Sequence, residues 1–257
     1  MAKAFQAYIA SFRFLKQNGL LWLLWFPLIV TALVIYGGLS LTSWATDFLS
    51  MGLTNWMESI DWLNDLSGII GKILYALLWI ILRIMLYFIM TFVGGSIILL
   101  IMSPLLTIVS ENVATAVGAN VPDFKISVFF RDLWRAIKLA LKNGLIQLIL
   151  TIGCFALGFV PIAGFAAPFL MFFINAYFYG FSFMDYSLER MHISASESGK
   201  FVWSKKWKTI GIGMPFTAWM LIPFFGPMTS GFMALFATVS ATLALEKPVT
   251  EAVKTAP

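Results

Sequence analysis

Four basic residues, Arg131, Arg135, Lys138 and Lys142, fall at i, i+4, i+7 and i+11. On a helix that spacing makes one cationic stripe. Phe130, Leu133, Trp134, Ile137 and Leu141 form an apolar face, and Ser127 is a candidate N-cap. Such a helix either lies against lipid phosphates or funnels anions towards a pore mouth. A further cation, Arg83, stands alone in a long apolar run, 11 residues past Lys72, about 16 Å along a helix axis. A charge at that depth faces protein or water when it is functional. Arg83 therefore reads either as part of an anion path or as a structural arginine that snorkels or meets carbonyls. Thr229 and Ser230 bring hydroxyl donors to a turn that follows Pro227.

Other chemistry is excluded by what the chain lacks. It has one Cys and one His, which rules out an internal disulfide and a Cys/His zinc site. There is no phosphate-binding glycine loop, no nucleophile elbow and no intramembrane Ser-His or His-Cys pair. No enzymatic activity and no cofactor are expected. No Asp or Glu lies inside the long apolar stretches described next. Proton-coupled carriers relay protons through such carboxylates, so the expectation for a transporter is passive passage.

The elements that must hold these residues follow from composition. Of 257 residues, 60% are hydrophobic and only 11% charged, against about 25% charged in soluble domains. The chain must face lipid, and its net charge of +5 belongs to loops on the cytoplasmic side, not to nucleic-acid binding. Gly19–Thr46, Asn143–Met184 and Thr209–Leu245 carry no Asp, Glu, Lys or Arg, and Ile73–Ser110 carries only Arg83. A crossing helix needs about 20 apolar residues. The first stretch predicts one span at about Leu20–Leu41. The second predicts a long helix from about Ile69 to Ile98, broken near Ser103–Pro104 because proline removes a backbone donor and disfavours helix before it.

The other two stretches are punctuated in the middle, by Val160-Pro161-Ile162-Ala163-Gly164 and by Ile222-Pro223-Phe224-Phe225-Gly226-Pro227. Proline followed closely by glycine marks a turn, so each stretch reads as a helical hairpin. The first arms, Gly144–Phe159 and Thr209–Leu221, hold 16 and 13 residues, about 24 and 20 Å of helix. Both fall short of a full crossing and predict re-entrant hairpins. Each second arm would then start inside the membrane, near Gly164–Ala167 and Met228–Gly231, where helix-start amides can hold an anion without side-chain charge. Gly164, Thr229 and Ser230 are candidates on that ground.

Loop charges orient the chain. Residues 1–18 hold Lys3, Arg13 and Lys16 without an acid, and 47–65 hold four acids without a base. The N-terminus, 111–142 and 185–208 are expected on the cytoplasmic side and 47–65 outside. The acidic cluster Glu58, Asp61 and Asp65 reads as an outside loop. Ala4–Gln17, with Phe5, Tyr8, Ile9, Phe12 and Leu15 on one face and a stop at Asn18-Gly19, reads as an interfacial amphipathic helix. Ser43-Trp44-Ala45 resembles a cleavage site, but the preceding apolar run is too long for a signal peptide. One membrane domain over 1–247 with a short polar tail at 248–257 is expected.

The order of motifs resembles a known family. It runs from Pro27 to Ser103-Pro104-Leu105-Leu106 with Glu111, then the basic helix. Phe159-Val160-Pro161-Ile162-Ala163-Gly164-Phe165-Ala166-Ala167-Pro168 follows, then Met184-Asp185-Tyr186, His192 and Ile222-Pro223. This is similar to the CysZ sulfate permeases, grouped with the eukaryotic etoposide-induced membrane proteins. The resemblance implies an all-α inner-membrane protein with two long transmembrane helices, two partly penetrating hairpins and interfacial helices. It also implies homo-oligomers and sulfate, or sulfite, as the partner carried for cysteine synthesis. Related proteins often carry Gly-Ile/Leu-Arg-Arg before the first span as an oxyanion site. Here the matching residues are Gly19, Leu20, Leu21 and Trp22, so both arginine positions are apolar. Arg83 lies outside that pattern and is a candidate replacement.

Overall fold

Asn18 and Gly19 end the first helix as their types demand. Helix α1 (Ala2–Gln17) stops with the Asn18 amide and side-chain Nδ2 both donating to Phe14 O, at 3.1 and 2.9 Å. Gly19 then takes φ 68°, the left-handed region open to glycine. The computed structural model describes residues 2–58, 69–119, 126–191 and 193–254. A 3-10 turn (Leu20–Leu24) leads into α2 (Trp25–Glu58), followed by α3 (Ile69–Ala116) and α4 (Ile126–Leu157). A second 3-10 turn (Ala163–Ala166) opens α5 (Ala167–Arg190). Then come α6 (Ala195–Ser204), α7 (Lys206–Met220), the single turn α8 (Phe225–Met228) and α9 (Ser230–Lys254). No strand occurs among the described residues. Asp61, Asp65 and His192 lie outside them, as do the side chains of Phe5, Glu58, Phe130, Arg131 and Leu133.

Four stretches are long and apolar enough to cross a bilayer: Leu20–Leu49, Ala76–Ala116, Ile137–Leu157 and Ala163–Arg190. Large apolar side chains stand outward along them, among them Leu33, Tyr36, Leu100, Phe155 and Phe169. Such a surface is stable only against lipid. The protein is an all-α, multi-pass membrane protein.

The break expected at Ser103–Pro104 is absent. Helix α3 runs unbroken for 48 residues with Pro104 inside it. A proline frees one carbonyl a turn earlier, and membrane helices tolerate that when neighbours compensate. Here Ile98, Met102, Leu106, Val109 and Val113 are fully or almost fully buried. Their spacing of four, four, three and four packs one stripe of α3 against α5 and α9, and that packing carries the helix through the proline. The half of α3 before Gly94 is different, with most large apolar residues from Leu77 to Val93 exposed.

The basic helix and the first arm of the first hairpin also prove to be one element. Helix α4 is continuous through Asn143 and Gly144, and reaches crossing length over Ile137–Leu157. The second hairpin stays short. Helix α7 has 15 residues, about 22 Å, and the apolar part of α9, Ser230–Glu246, is below crossing length.

Helices α5 and α7 pack more extensively than any other pair. A Cβ on Gly180 would lie 2.0 Å from Thr209 O, and one on Gly213 would lie 1.9 Å from Ala176 O. Only glycine lets the two backbones approach so closely. The tip of the second hairpin is seated on α3 in the same way, since a Cβ on Gly95 would meet Pro227 at 2.7 Å. Helix α1 covers α7 and α9. Tyr8, Ser11 and Leu15 face the protein, while Ile9 and Phe12 remain exposed. The Tyr8 hydroxyl donates to Ile212 O at 2.9 Å, and burial pushes its phenol above the ordinary range. Half of the apolar face of α1 is therefore spent on the bundle and half is left for lipid.

Candidate functional site

Three helices each bring a hydroxyl and, within a turn, a charge to one level of the bundle. Helix α3 supplies Ser110 and Glu111, α5 supplies Ser187 and Arg190, and α9 supplies Thr242 and Glu246. The hydroxyls close on one another, with Ser110 to Ser187 at 3.1 Å, Ser187 to Thr242 at 3.0 Å and Thr242 to Ser110 at 3.2 Å. The single Thr242 proton goes either to Ser110 Oγ or to Thr238 O, the latter at 2.9 Å. The ring thus satisfies itself. Beside it Arg190 and Glu246 form an ion pair in which both side chains are only 4% exposed. Glu111 also feels the Arg190 charge. The Arg190 Nε is buried and finds no acceptor among the described residues.

A second charged cluster ties α4 to α5 and α6. Arg135 donates to both oxygens of Asp185, at 3.1 and 2.9 Å, to Ile193 O at 2.8 Å and to Ser198 Oγ at 2.6 Å. Four donors of one guanidinium fork are aimed at three partners. Together with Arg190–Glu246, and with Lys208 Nζ bonded to Ala244 O, these bonds place the charged ends of α4, α5, α7 and α9 at one end of the bundle. Between α4 and α5 lies a cavity of about 200 Å³ lined by Ser103, Asn143, Gln147, Asp185, Tyr186 and Glu189, among others. Its polar lining includes two carboxylates, which disfavours an anion resting there.

The sequence candidates are dispersed. No side-chain hydrogen bond or ion pair joins one of them to another among the described residues. Gly19 and Leu20 sit at the corner between α1 and α2, with Leu21 and Trp22 exposed beside them. Arg83 has its guanidinium 4.6 Å from the centre of the Trp79 ring and 6.0 Å from that of Tyr87. Both rings lie one turn away on its own helix, so cation–π attraction holds the charge. Arg135 is committed to Asp185, and Arg131 lies on α4 with its side chain outside the described residues.

Both hairpin tips share one conformation. Ile162 has φ 68° and ψ −53°, and Phe224 has φ 61° and ψ −53°, each following a proline. The residue after each donates back across the turn, Ala163 to Pro161 O at 2.8 Å and Phe225 to Pro223 O at 2.6 Å, which is the three-residue γ-turn. The next amides are used as well. Gly164 N–H donates to Val160 O at 2.8 Å and Gly226 N–H to Ile222 O at 2.9 Å. Thr229 Oγ1 donates to Phe225 O at 2.6 Å and accepts from the Trp219 indole at 2.9 Å. Ser230 is fully buried and donates to Gly95 O at 3.5 Å. The tip donors expected to face an anion are thus engaged within the fold.

Arg190, Glu246 and the hydroxyl ring were not among the residues that sequence reasoning singled out. Glu111 and Glu246 each follow an apolar stretch by one residue, a position that reads as the start of a loop. The available signal was the spacing, with Ser187 and Arg190 at i, i+3 and Thr242 and Glu246 at i, i+4, which puts each pair on one helix face.

No curated protein matches the chain significantly. The family model for the sulfate transporter CysZ and etoposide-induced protein 2.4 matches residues 7–230. That span takes in α2 to α8, both hairpin tips, Ser110, Glu111 and Arg190. The chain belongs to the CysZ/etoposide-induced protein 2.4 family.

Proposed function

We propose that the protein is a passive oxyanion channel or permease of a bacterial inner membrane, carrying sulfate or a related oxyanion inward for sulfur assimilation. Its N-terminus would be cytoplasmic, and it would work as a homo-oligomer. The observation that carries this reading, in a chain of a sulfate-transporter family, is Arg190. Its guanidinium is buried where α3, α5 and α9 meet, and its Nε–H has no acceptor among the described residues. An anion leaving water needs charge-assisted donors, and a buried donor without a partner is costly until something accepts from it. With Leu21 and Trp22 where related proteins carry two arginines, Arg190 is the cation best placed to supply that contact.

A second reading, a membrane scaffold that transports nothing, draws on a different observation. Glu246 already neutralises the Arg190 guanidinium as an ion pair, and the hydroxyl ring needs no ligand. The deciding experiment is flux of labelled sulfate, and separately of labelled sulfite, into liposomes holding the purified protein. Transport predicts flux above empty liposomes, reduced in an Arg190→Gln/Glu246→Gln double variant that removes both charges and leaves no lone buried ion. Absence of flux for both anions would favour the scaffold.

A further inference from the structure

The elbow between α6 and α7 carries Trp203, Lys205, Lys206, Trp207 and Lys208 within six positions. Trp203 and Trp207 are 62% and 76% exposed, and Trp203 sets its ring edge-to-face against Tyr177 of α5, with 6.0 Å between centroids. Lys206 Nζ lies 5.0 Å from the centre of the Trp203 ring and 5.9 Å from that of Trp207. Lys205 Nζ lies 4.4 Å from the centre of the Phe201 ring. Lys208 has a different task, donating to Ala244 O near the end of the apolar part of α9. Burial, with Lys205 adding to it, pulls its ammonium below the ordinary lysine range. Among the described residues, no carboxylate pairs with the positive charge of Lys205 and Lys206.

The same composition recurs on α4. Trp134 is exposed, and Lys138, one turn on, has its Nζ 5.3 Å from the centre of the indole ring. Arg135, between them, turns inward to Asp185, Ile193 and Ser198. That bond set brings this turn of α4 against the start of α6, so both Trp–Lys groups lie towards the charged end of the bundle.

We infer that the α6–α7 elbow is a docking surface for the phosphates of anionic phospholipid headgroups, with Trp134 and Lys138 a second such group towards the same end of the bundle. The chemistry fits on three counts. Exposed indoles favour the membrane–water interface. An ammonium on an aromatic face keeps its remaining N–H donors for an acceptor beyond the ring. Lysines without internal counter-ions are drawn to a negative leaflet. The surface is independent of what crosses the membrane. It would fix the depth of the short α7–α9 hairpin, whose arms are too short to be held by two full crossings.

Native mass spectrometry of the detergent-purified protein with phosphatidylglycerol against phosphatidylcholine tests this, with Lys205→Gln/Lys206→Gln as the variant. Each lysine near an anionic surface contributes about fivefold, so the double variant should lose about 25-fold of the phosphatidylglycerol preference at low salt. Both positions are exposed, and Arg13→Gln/Lys16→Gln on α1, which removes the same two charges elsewhere, is the control that should lose less of the preference. Trp203→Leu/Trp207→Leu should weaken binding of both lipids. An unchanged preference in the lysine variant would overturn the inference, as would equal binding of the two lipids by the unaltered protein. Displacement of phosphatidylglycerol by millimolar inorganic phosphate would also overturn it, by assigning the site to a free anion.

Discussion

Arg135 of α4 closes a two-pronged bond on Asp185 of α5, with N–O distances of 2.9 and 3.1 Å. The pair joins the two arms of the first hairpin at the end opposite its tip. It also takes one cation out of the stripe that sequence spacing draws along α4. What remains outward at this turn is Trp134 and Lys138, and what turns inward anchors α6.

Breaking that pair should be costly. Both side chains are only 11–12% exposed, and removing one partner of a buried pair costs about 3–5 kcal/mol. Arg135→Ala and Asp185→Asn should each lower unfolding stability in mixed micelles by that order. The double variant should recover part of the loss, because no lone charge is left. Arg135→Lys should not restore stability, since an ammonium cannot bridge Asp185, Ile193 and Ser198 together.

Gly213→Ala should prevent assembly of the α5–α7 pair. The added carbon would stand 1.9 Å from Ala176 O and 2.7 Å from Gly180 N, both backbone atoms that cannot rotate away. Size-exclusion chromatography should show loss of the monodisperse species. Gly199→Ala, where nothing lies within 4 Å, should elute as the unaltered protein does.

Arg83→Gln should leave the protein folded, because the contacts of Arg83 are to Trp79 and Tyr87 on its own helix. Sulfate flux in liposomes then decides its role. A fall in flux at constant oligomer size would put Arg83 on the anion path, and unchanged flux would make it a lipid-facing arginine steadied by two rings.

Helix α6 should loosen in acid. Ser194 and Glu197 form a reciprocal cap, with Glu197 N–H donating to Ser194 Oγ and the Ser194 hydroxyl and amide donating to Glu197 Oε2. Those two donors hold the Glu197 carboxyl below its ordinary 4.5. A depressed carboxyl contributes order that is fully present above its unfolded value and lost as pH falls through the folded one. A nitroxide at Ser196→Cys, in a Cys154→Ser background, should be ordered at pH 7 and gain mobility below pH 4.5. Ser194→Ala should flatten that transition.

Much of the architecture is legible in charge gaps and punctuation. The stop at Asn18-Gly19 and the two Pro-to-Gly turns each state a local rule that nothing distant overrides. Pro104 shows where local rules give way. Its effect depends on whether neighbours grip the helix on both sides, and Met102 and Leu106 can be seen to do so only once α5 and α9 are in place. The fusion of the basic helix with the hairpin arm is similar, since Asn143-Gly144 is a fair stopping point in water but not in a helix already entering lipid. The polar core is least legible of all. Glu246 meets Arg190 across 56 positions, and a charge at the edge of an apolar stretch looks the same whether it enters a loop or turns into the bundle.

The unbroken α3 has a consequence for the bilayer itself. Its apolar portion, Ala76–Ala116, has 41 residues, about 62 Å of helix against a hydrocarbon slab of about 30 Å. Upright, it would push about half of itself out among headgroups and water. To stay wholly in hydrocarbon its axis would have to lean about 60° from the normal, far beyond the usual tilt, or the lipid around it would have to stretch. Either way the molecule wedges the leaflets apart unevenly, and its resting orientation becomes a function of acyl-chain length.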